Sequence, residues 1–185
     1  MAISVYLSLA AFWAVWCYPF VFRSTRGPKR ASITARGPTA AGLLLETLAI
    51  ILAFVFRLPR ETAPGWERLT GSAMVGVVSV MLAWSAVRHL GKQLRVTAGL
   101  YDDHELVRTG PYRIVRHPIY AGLLGGLICT MLAITRVEWM APLAALFIVG
   151  TEIRVRTEDS LLESRFGDDF RRYRQRVRAY IPFVR

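Results

Sequence analysis

The sequence predicts an all-α membrane protein with about five transmembrane helices and a C-terminal amphipathic helix. Of its 185 residues, 54% are hydrophobic, and the mean hydropathy of +0.35 is too high for an ordinary soluble domain. The chain nevertheless carries 24 Lys and Arg residues against 13 Asp and Glu residues. Charged and apolar residues must therefore be segregated in space, as they are in a protein embedded in a bilayer.

The first predicted span covers residues 3–22, a run of twenty residues without a formal charge. At about 1.5 Å per residue, a helix of this length crosses the roughly 30 Å hydrocarbon core of a bilayer. Basic residues follow this apolar run, whereas a cleaved signal peptide begins with them. We therefore expect the helix to remain in the mature protein.

Four further apolar runs complete the five spans, at residues 40–56, 71–87, 119–134 and 139–153. The last two are short compared with the norm of about 20 residues for a full span. Only residues 135–138 join them, so a tight helical hairpin is the natural structure, and a re-entrant pair is the alternative.

The distribution of basic residues predicts the orientation of the spans. Twenty Lys and Arg residues lie in segments 23–38, 88–118 and 154–185, and four lie in segments 57–68 and 135–138. Under the positive-inside rule, the N-terminus is outside an inner or plasma membrane and the C-terminus is cytoplasmic. The net charge of +11 beside the spans favours attraction to anionic lipids, and no nucleic-acid partner is expected because no nucleic-acid-binding module is recognisable.

Glu46 is the exceptional residue of the second span, because a carboxylate inside an apolar helix is costly and usually faces a partner or a polar cavity. An ion pair with a nearby arginine and a functional role are both open. Cys17 and Cys129 lie in apolar spans without the spacing of a metal site, so we expect them to pack as small hydrophobic residues. No metal site is predicted, and His89 and His104 are expected to be ordinary surface histidines.

Residues 110–122, with the sequence Gly-Pro-Tyr-Arg-Ile-Val-Arg-His-Pro-Ile-Tyr-Ala-Gly, form the most informative segment. Pro111 and Pro118 restrict the residue before them and lack an N–H donor, so the segment cannot be one continuous helix. A bent loop before an apolar helix can present its polar side chains to one ligand. Anchoring at the lipid headgroups uses the same residue types and is the alternative. The candidate ligand-binding residues are Tyr112, Arg116, His117 and Tyr120.

Two features follow the fifth span. Arg154 and Glu158 are four residues apart, so they share a helix face and can form an ion pair, or they can belong to a functional site at the end of the span. Further on, apolar residues recur at steps of four, four, three and four, which predicts an amphipathic helix that lies on the inner leaflet or covers a pocket. These apolar residues are Leu162, Phe166, Phe170, Tyr173 and Val177.

Taken in order, segment 110–122 and the C-terminal residues resemble the signature of the isoprenylcysteine carboxyl methyltransferase and phospholipid methyltransferase superfamily. The resemblance covers roughly residues 88–185. Residues 1–87 bear no motif and are expected to form a three-span scaffold within a single domain of residues 1–185. The C-terminal part of the signature consists of Arg154, Glu158, Asp159, Leu162, Phe166, Gly167, Phe170, Tyr173, Ile181 and Pro182.

The resemblance implies methyl transfer from S-adenosylmethionine, with S-adenosylhomocysteine as the product. It implies catalytic roles for Arg154 and Glu158, whereas Asp159 stands where relatives commonly have a second glutamate, and its role is left open. The implied cofactor-binding residues are Leu106, Val107, Gly110, Tyr112, Arg116, His117, Pro118 and Tyr120.

The methyl acceptor is expected to be lipophilic or amphipathic and to enter from the bilayer. An isoprenylcysteine-type carboxylate and the amine of a phospholipid or small lipid are both open. The alternative from another class is an NADPH-dependent membrane reductase of the sterol-reductase type, which shares the architecture but has additional spans. Because no Rossmann glycine fingerprint is present, the cofactor would need a pocket that belongs to this membrane architecture.

Overall fold

The computed structural model describes residues 3–23, 33–34, 36–59, 61–94, 99–100 and 105–182, which are predominantly helical. Two short strands, β1 (Ile33–Thr34) and β2 (Gly99–Leu100), pair in antiparallel register. The α-helices are α1 (Ile3–Arg23), α2 (Arg36–Val55), α3 (Trp66–Leu90), α4 (Pro118–Ile134), α5 (Val137–Phe166) and α6 (Asp168–Arg176). The predicted helical class is confirmed for this part of the chain.

Three helices, α1, α2 and α3, are long and apolar enough to cross a bilayer, and α4 is a shorter apolar helix. The chain is therefore an integral membrane protein, but five full spans are not confirmed. The reason is length. The 17 residues of α4 extend about 26 Å at 1.5 Å per residue. Helix α5 has 30 residues, but it carries charged residues from Glu152 onward, so its apolar part is shorter still.

The outer faces of the three long helices expose large apolar side chains. Leu7, Leu44 and Val78 are each more than 60% exposed. In water, such surface would forfeit about 25 cal/mol for each Å² left unburied, whereas contact with lipid chains removes that cost. These faces are therefore suited to contact the hydrocarbon core directly.

Helix α3 packs on α4, and α2 packs on α5. Between α3 and α4, the Ser79 hydroxyl donates a 2.6 Å hydrogen bond to the carbonyl oxygen of Gly122, which requires the two helices to be close. Trp13 of α1 donates to the Thr130 hydroxyl of α4 at 3.2 Å. Phe147 is fully buried where α5 meets α2 and α4. Direct packing of apolar and small residues thus holds the bundle together.

At one end of the bundle, Arg68 closes the C-terminus of α4 by donating hydrogen bonds of 2.6 to 3.0 Å to three carbonyl oxygens. The last carbonyl oxygens of a helix generally have no hydrogen-bond donor from within the helix, and Arg68 supplies donors here. Only Thr135 and Arg136 separate α4 from α5, so the predicted tight connection is present and is shorter than expected. The carbonyl oxygens belong to Met131, Leu132 and Thr135.

The predicted C-terminal amphipathic helix is interrupted. Helix α5 ends at Phe166 because Gly167 adopts a φ of +51°, which glycine tolerates best, and its N–H donates to the carbonyl oxygen of Glu163. Helix α6 begins afresh at the next residue, and its Phe170 and Tyr173 are buried within the protein. The expectation of one continuous helix is therefore wrong. Tyr173, on the apolar face of α6, nevertheless lines a cavity.

Candidate active site

A cavity of about 360 Å³ lies where α4 begins and where the charged half of α5 leaves the apolar bundle. Its volume falls in the range of roughly 300 to 1,000 Å³ that is typical of small-molecule sites. Of the ten residues predicted for the site, only Gly110 is absent from the lining. The other nine are Leu106, Val107, Tyr112, Arg116, His117, Pro118, Tyr120, Arg154 and Glu158.

Segment 110–122 is bent, as its prolines predict. Gly110–Arg113 forms a short 3₁₀-helix, and Pro118 is the first residue of α4, where its missing N–H costs no helical hydrogen bond. Gly110 contributes shape instead of a contact with the cavity. It adopts a φ of +58°, and a Cβ at this position would lie only 2.4 Å from Nε2 of His89.

Residues 177–181, which we call the C-terminal strap, run beside this loop. The backbone N–H groups of Arg116 and His117 donate to the carbonyl oxygens of Arg178 and Ala179, and both hydrogen bonds are 2.7 Å long. Because these bonds fix the loop backbone, they also fix the direction in which the two side chains leave it. The C-terminal strap is thus part of the site.

His117 lies between two carboxylates. Its Nε2 is 2.9 Å from Oδ1 of Asp159, and its Nδ1 is 3.3 Å from Oε2 of Glu158. Burial alone lowers the pKa of His117, but hydrogen bonds to Asp159 and Glu158 and the charges of both residues outweigh it and raise the pKa to about 9. At neutral pH the imidazole is therefore protonated, and both ring N–H groups donate.

Asp159, whose role the sequence leaves open, also binds Arg116. Nη2 of Arg116 donates to Oδ2 of Asp159 at 2.8 Å, and Nη1 donates to the carbonyl oxygen of Val177 at 2.5 Å. Burial raises the pKa of Asp159, but His117 and Arg116 outweigh this effect and hold it below its usual value. The Nε of Arg116 is buried without a hydrogen-bond partner in the described part of the chain. Asp159 thus holds both Arg116 and His117.

Glu158 faces the cavity, with 27% of its side chain exposed there. One oxygen accepts a hydrogen bond from the hydroxyl of Tyr120, and the other lies beside Nδ1 of His117. Burial raises the pKa of Glu158, but the contacts with His117, Tyr120 and Arg154 outweigh it and hold the pKa below its usual value. The cavity therefore contains an ionised carboxylate near neutral pH.

Arg154 is paired with Glu46 of α2. Its Nη1 donates to Oε2 of Glu46 at 2.5 Å, and Oε1 of Glu46 accepts the hydroxyl of Thr151 at 2.9 Å. The guanidinium carbon of Arg154 lies 4.6 Å from the centre of the Tyr120 ring, a cation–π contact. The ion pair with a nearby arginine, one of the two possibilities left open for Glu46, is present, and this residue also lines the cavity.

These contacts join into a single polar network that extends from α2 to the C-terminal strap. Three cations and three carboxylates take part, so its formal charge is zero when His117 is protonated. The members, in order of contact, are Thr151, Glu46, Arg154, Tyr120, Glu158, His117, Asp159 and Arg116.

Much of the remaining lining is apolar and comes from helices α1, α2 and α4. This part can accept a lipophilic group, while the network meets the polar end of the same ligand. The apolar lining includes Trp16, Phe20, Leu43, Ile50, Ile119 and Leu123.

Several lining residues are not among the predicted ones. The charge of Glu46 within an apolar span is a usable signal, and Tyr173 belongs to the quoted signature. The Tyr173 hydroxyl donates to the carbonyl oxygen of Tyr112 at 2.5 Å and so ties α6 to the loop. Trp16 and Phe20 carry no signal in the sequence, because every face of a membrane helix is apolar.

The cysteines lie on apolar helices, as expected. Cys17 on α1 is exposed and Cys129 on α4 is buried, and both are free thiols. Within the described ranges, no cluster of three or more His, Cys, Asp or Glu side chains could hold a metal ion. His89 is an exposed residue, and His104 lies outside the described ranges.

The chain is similar to a known protein family and to several proteins of known name. The isoprenylcysteine carboxyl methyltransferase (ICMT) family model matches residues 72–164, about half of the chain. The Protein-S-isoprenylcysteine O-methyltransferase of Schizosaccharomyces pombe is 29% identical over 150 residues, which cover 74% of this chain and 55% of that protein. Protein-S-isoprenylcysteine O-methyltransferase B of Arabidopsis thaliana is 26% identical over 147 residues, which cover 78% of this chain and 74% of that protein.

A protein of another name is also similar. The cobalt-zinc-cadmium resistance protein CzcN of Cupriavidus metallidurans is 32% identical over 117 residues, which cover 60% of this chain and 47% of that protein. The chain thus spans about half the length of the yeast and Cupriavidus proteins and about three quarters of the Arabidopsis one.

Proposed function

The chain belongs to the isoprenylcysteine carboxyl methyltransferase family, and on that premise we propose that it methylates a lipophilic acceptor with S-adenosylmethionine. The observation that carries the proposal is one cavity that joins an ordered polar network to an apolar space among the helices. A water-soluble cofactor can use the polar end, and an acceptor from the bilayer can use the apolar end.

The polar end has groups suited to the cofactor. Leu106 and Val107 line the cavity on the loop side, where backbone groups can read the edge of an adenine, and the ring of Tyr112 can contact its apolar parts. The buried Nε–H of Arg116 lacks an acceptor in the described part of the chain, and a bound carboxylate could supply one. When bound, S-adenosylmethionine would supply a methyl group on a sulfonium centre.

The loop residues have an organising role in this proposal. Both nitrogens of His117 and one terminal nitrogen of Arg116 are already engaged by Asp159 and Glu158. We therefore propose that His117 and Arg116 mainly hold the cofactor pocket in shape. Direct contact with the cofactor would require small movements of these side chains. Asp159 is added to the proposed site for the same reason.

Arg154 and Glu158 act on the acceptor. An acceptor carboxylate needs no base, because it is ionised at neutral pH, and Arg154 can orient it by charge-assisted hydrogen bonds. An amine acceptor would have to lose a proton, and Glu158 is an ionised carboxylate in the cavity that could accept it. In either case, the residues act mainly by positioning the acceptor and by limiting access of water.

The relatives' names favour an isoprenylcysteine-type carboxylate over a lipid amine. The test is to incubate the purified protein with methyl-labelled S-adenosylmethionine and either S-farnesyl-N-acetylcysteine or a phospholipid with a primary amine. A carboxylate acceptor gives a methyl ester that mild base cleaves, whereas an amine acceptor gives a base-stable product.

Binding controls separate the proposal from the reductase alternative. S-adenosylhomocysteine and NADPH are titrated against the same protein by calorimetry. We expect binding of S-adenosylhomocysteine alone, and binding of NADPH alone would contradict the proposed methyltransferase function.

A further inference from the structure

We propose that Glu46 is a positioning residue that fixes the guanidinium group of Arg154 for the methyl acceptor, a role that rests on the function proposed above. Glu46 is only 1% exposed, although it lies in an apolar membrane helix. A buried carboxylate is expensive unless it is paired, so its partners define what it does.

The two oxygens of Glu46 bind two points on α5. Oε2 accepts from Arg154 at 2.5 Å, and Oε1 accepts from the Thr151 hydroxyl at 2.9 Å. Thr151 lies three residues before Arg154, so both donors are on the same face of the helix. The carboxylate cannot turn without losing one bond, and the arginine is therefore held in one direction.

Close contact between the helices makes this arrangement possible. A Cβ at Gly42 would lie 2.5 Å from Cγ of Arg154 and 2.6 Å from the carbonyl oxygen of Gly150. A Cβ at Gly150 would lie 2.7 Å from the carbonyl oxygen of Gly42. Helices α2 and α5 therefore touch through their backbones one turn before Glu46, which brings its short side chain within reach of Arg154.

The ring of Tyr120 supports the guanidinium from a second direction at 4.6 Å. Glu46 also neutralises much of the charge of Arg154, so it competes with an acceptor carboxylate for that arginine. Loss of the Glu46 charge should leave Arg154 more attractive to an anion but less well oriented. The turnover number should then fall while the KM for an anionic acceptor does not rise, a pattern that a merely structural residue does not produce.

The experiment compares Glu46→Gln with Thr151→Val, which removes one hydrogen bond from Glu46 without changing any charge. With S-farnesyl-N-acetylcysteine, we expect kcat per folded molecule to fall about tenfold or more in Glu46→Gln and by a smaller factor in Thr151→Val. The affinity for S-adenosylhomocysteine should change by less than about twofold, because the loop residues are untouched. Glu67→Gln, at an exposed carboxylate at the start of α3, is the matched control.

A binding measurement makes the test independent of turnover. Calorimetry compares S-farnesyl-N-acetylcysteine with its methyl ester, and we expect the preference for the carboxylate to be larger in Glu46→Gln than in the wild type. An equal preference in the two proteins, or an unchanged kcat in folded Glu46→Gln beside an active wild type, would overturn the positioning role. A wild type that methylates neither acceptor class counts against the proposed function instead, and the binding comparison still decides the role of Glu46.

Discussion

Nε2 of His117 lies 2.9 Å from Oδ1 of Asp159, and this contact joins the loop before α4 to the charged half of α5. Asp159 also binds Arg116, so one carboxylate holds two cations that follow each other in the chain. Both cations are at least nine-tenths buried. A change at Asp159 should therefore disturb the whole loop, although the sequence analysis assigns a role to Glu158 and leaves that of Asp159 open.

Asp159→Asn should destabilise the protein and weaken binding of S-adenosylhomocysteine. The substitution keeps the size of the side chain but removes the charge partner of Arg116 and one of the two carboxylates beside His117. Breaking a buried ion pair costs about 3 kcal/mol or more. Thermal unfolding in detergent and calorimetry measure the two effects. The control is Asp169→Asn on α6, because Asp169 pairs with Arg172 on the surface and is 60% exposed. Equal effects of the two substitutions would contradict the organising role of Asp159.

Stability should fall as the pH rises from about 6.5 to about 9. The pKa of His117 is raised from its ordinary 6.5 to about 9 in the folded protein, so its contribution is complete below the unfolded value and is lost as the pH passes the folded one. This difference corresponds to about 3 kcal/mol. The carboxylates of Glu158 and Asp159 have lowered pKa values and remain ionised throughout this range.

His117→Gln provides the comparison for this measurement. The variant should be less stable than the wild type at pH 6.5, and its melting temperature should depend much less on pH over the same interval. A wild-type melting temperature that stays constant or increases up to pH 9, after correction with the variant, would contradict a protonated His117 in the folded state.

The helix positions could be predicted from the sequence where local signals mark the ends. The predicted span 119–134 corresponds to Pro118–Ile134 because a proline begins it and a short polar turn follows it. The end of α5 could not be predicted in the same way. Its charged residues favour a helix as well as the apolar ones do, so the helix continues to Gly167, where a left-handed glycine ends it.

The residues of the site, like the helix ends, could be predicted only where the signal is local in the sequence. The residues of segment 110–122 could be named because their types and spacing are local features of the sequence. Their partners could not, because 108 residues separate Glu46 from Arg154 and 43 separate Arg116 from Asp159. Such pairing depends on how α2 crosses α5 and on the path of the C-terminal strap, and neither is determined by a nearby motif.

The topology remains a prediction based on twenty basic residues on one side and four on the other. In a background with Cys17→Ala and Cys129→Ala, Thr62→Cys should react with a membrane-impermeant maleimide in intact cells. Ser164→Cys should react only after the membrane is opened. Both positions are exposed, so accessibility within the protein does not limit the reaction. The opposite labelling pattern would reverse the orientation.

Glu158→Gln should lower turnover while leaving the affinity for S-adenosylhomocysteine nearly unchanged. If Glu158 accepts a proton from an amine acceptor, the loss should be about two to four decades, the usual contribution of a positioned general base. If the acceptor is a carboxylate, only the orientation of Tyr120 and His117 changes, and the loss should be nearer to tenfold, about the effect of one hydrogen bond. The size of the loss therefore reports the class of acceptor.

Glu163→Gln is the control for this last comparison, because Glu163 lies on the same helix but pairs with Arg171 and Arg174 on the surface. It should retain wild-type turnover. Melting temperatures of both variants show whether each protein is folded, since an ion pair with a merely structural role would lower stability and leave activity per folded molecule intact. Normal turnover in folded Glu158→Gln would remove Glu158 from the catalytic residues and leave Arg154 as the residue that acts on the acceptor.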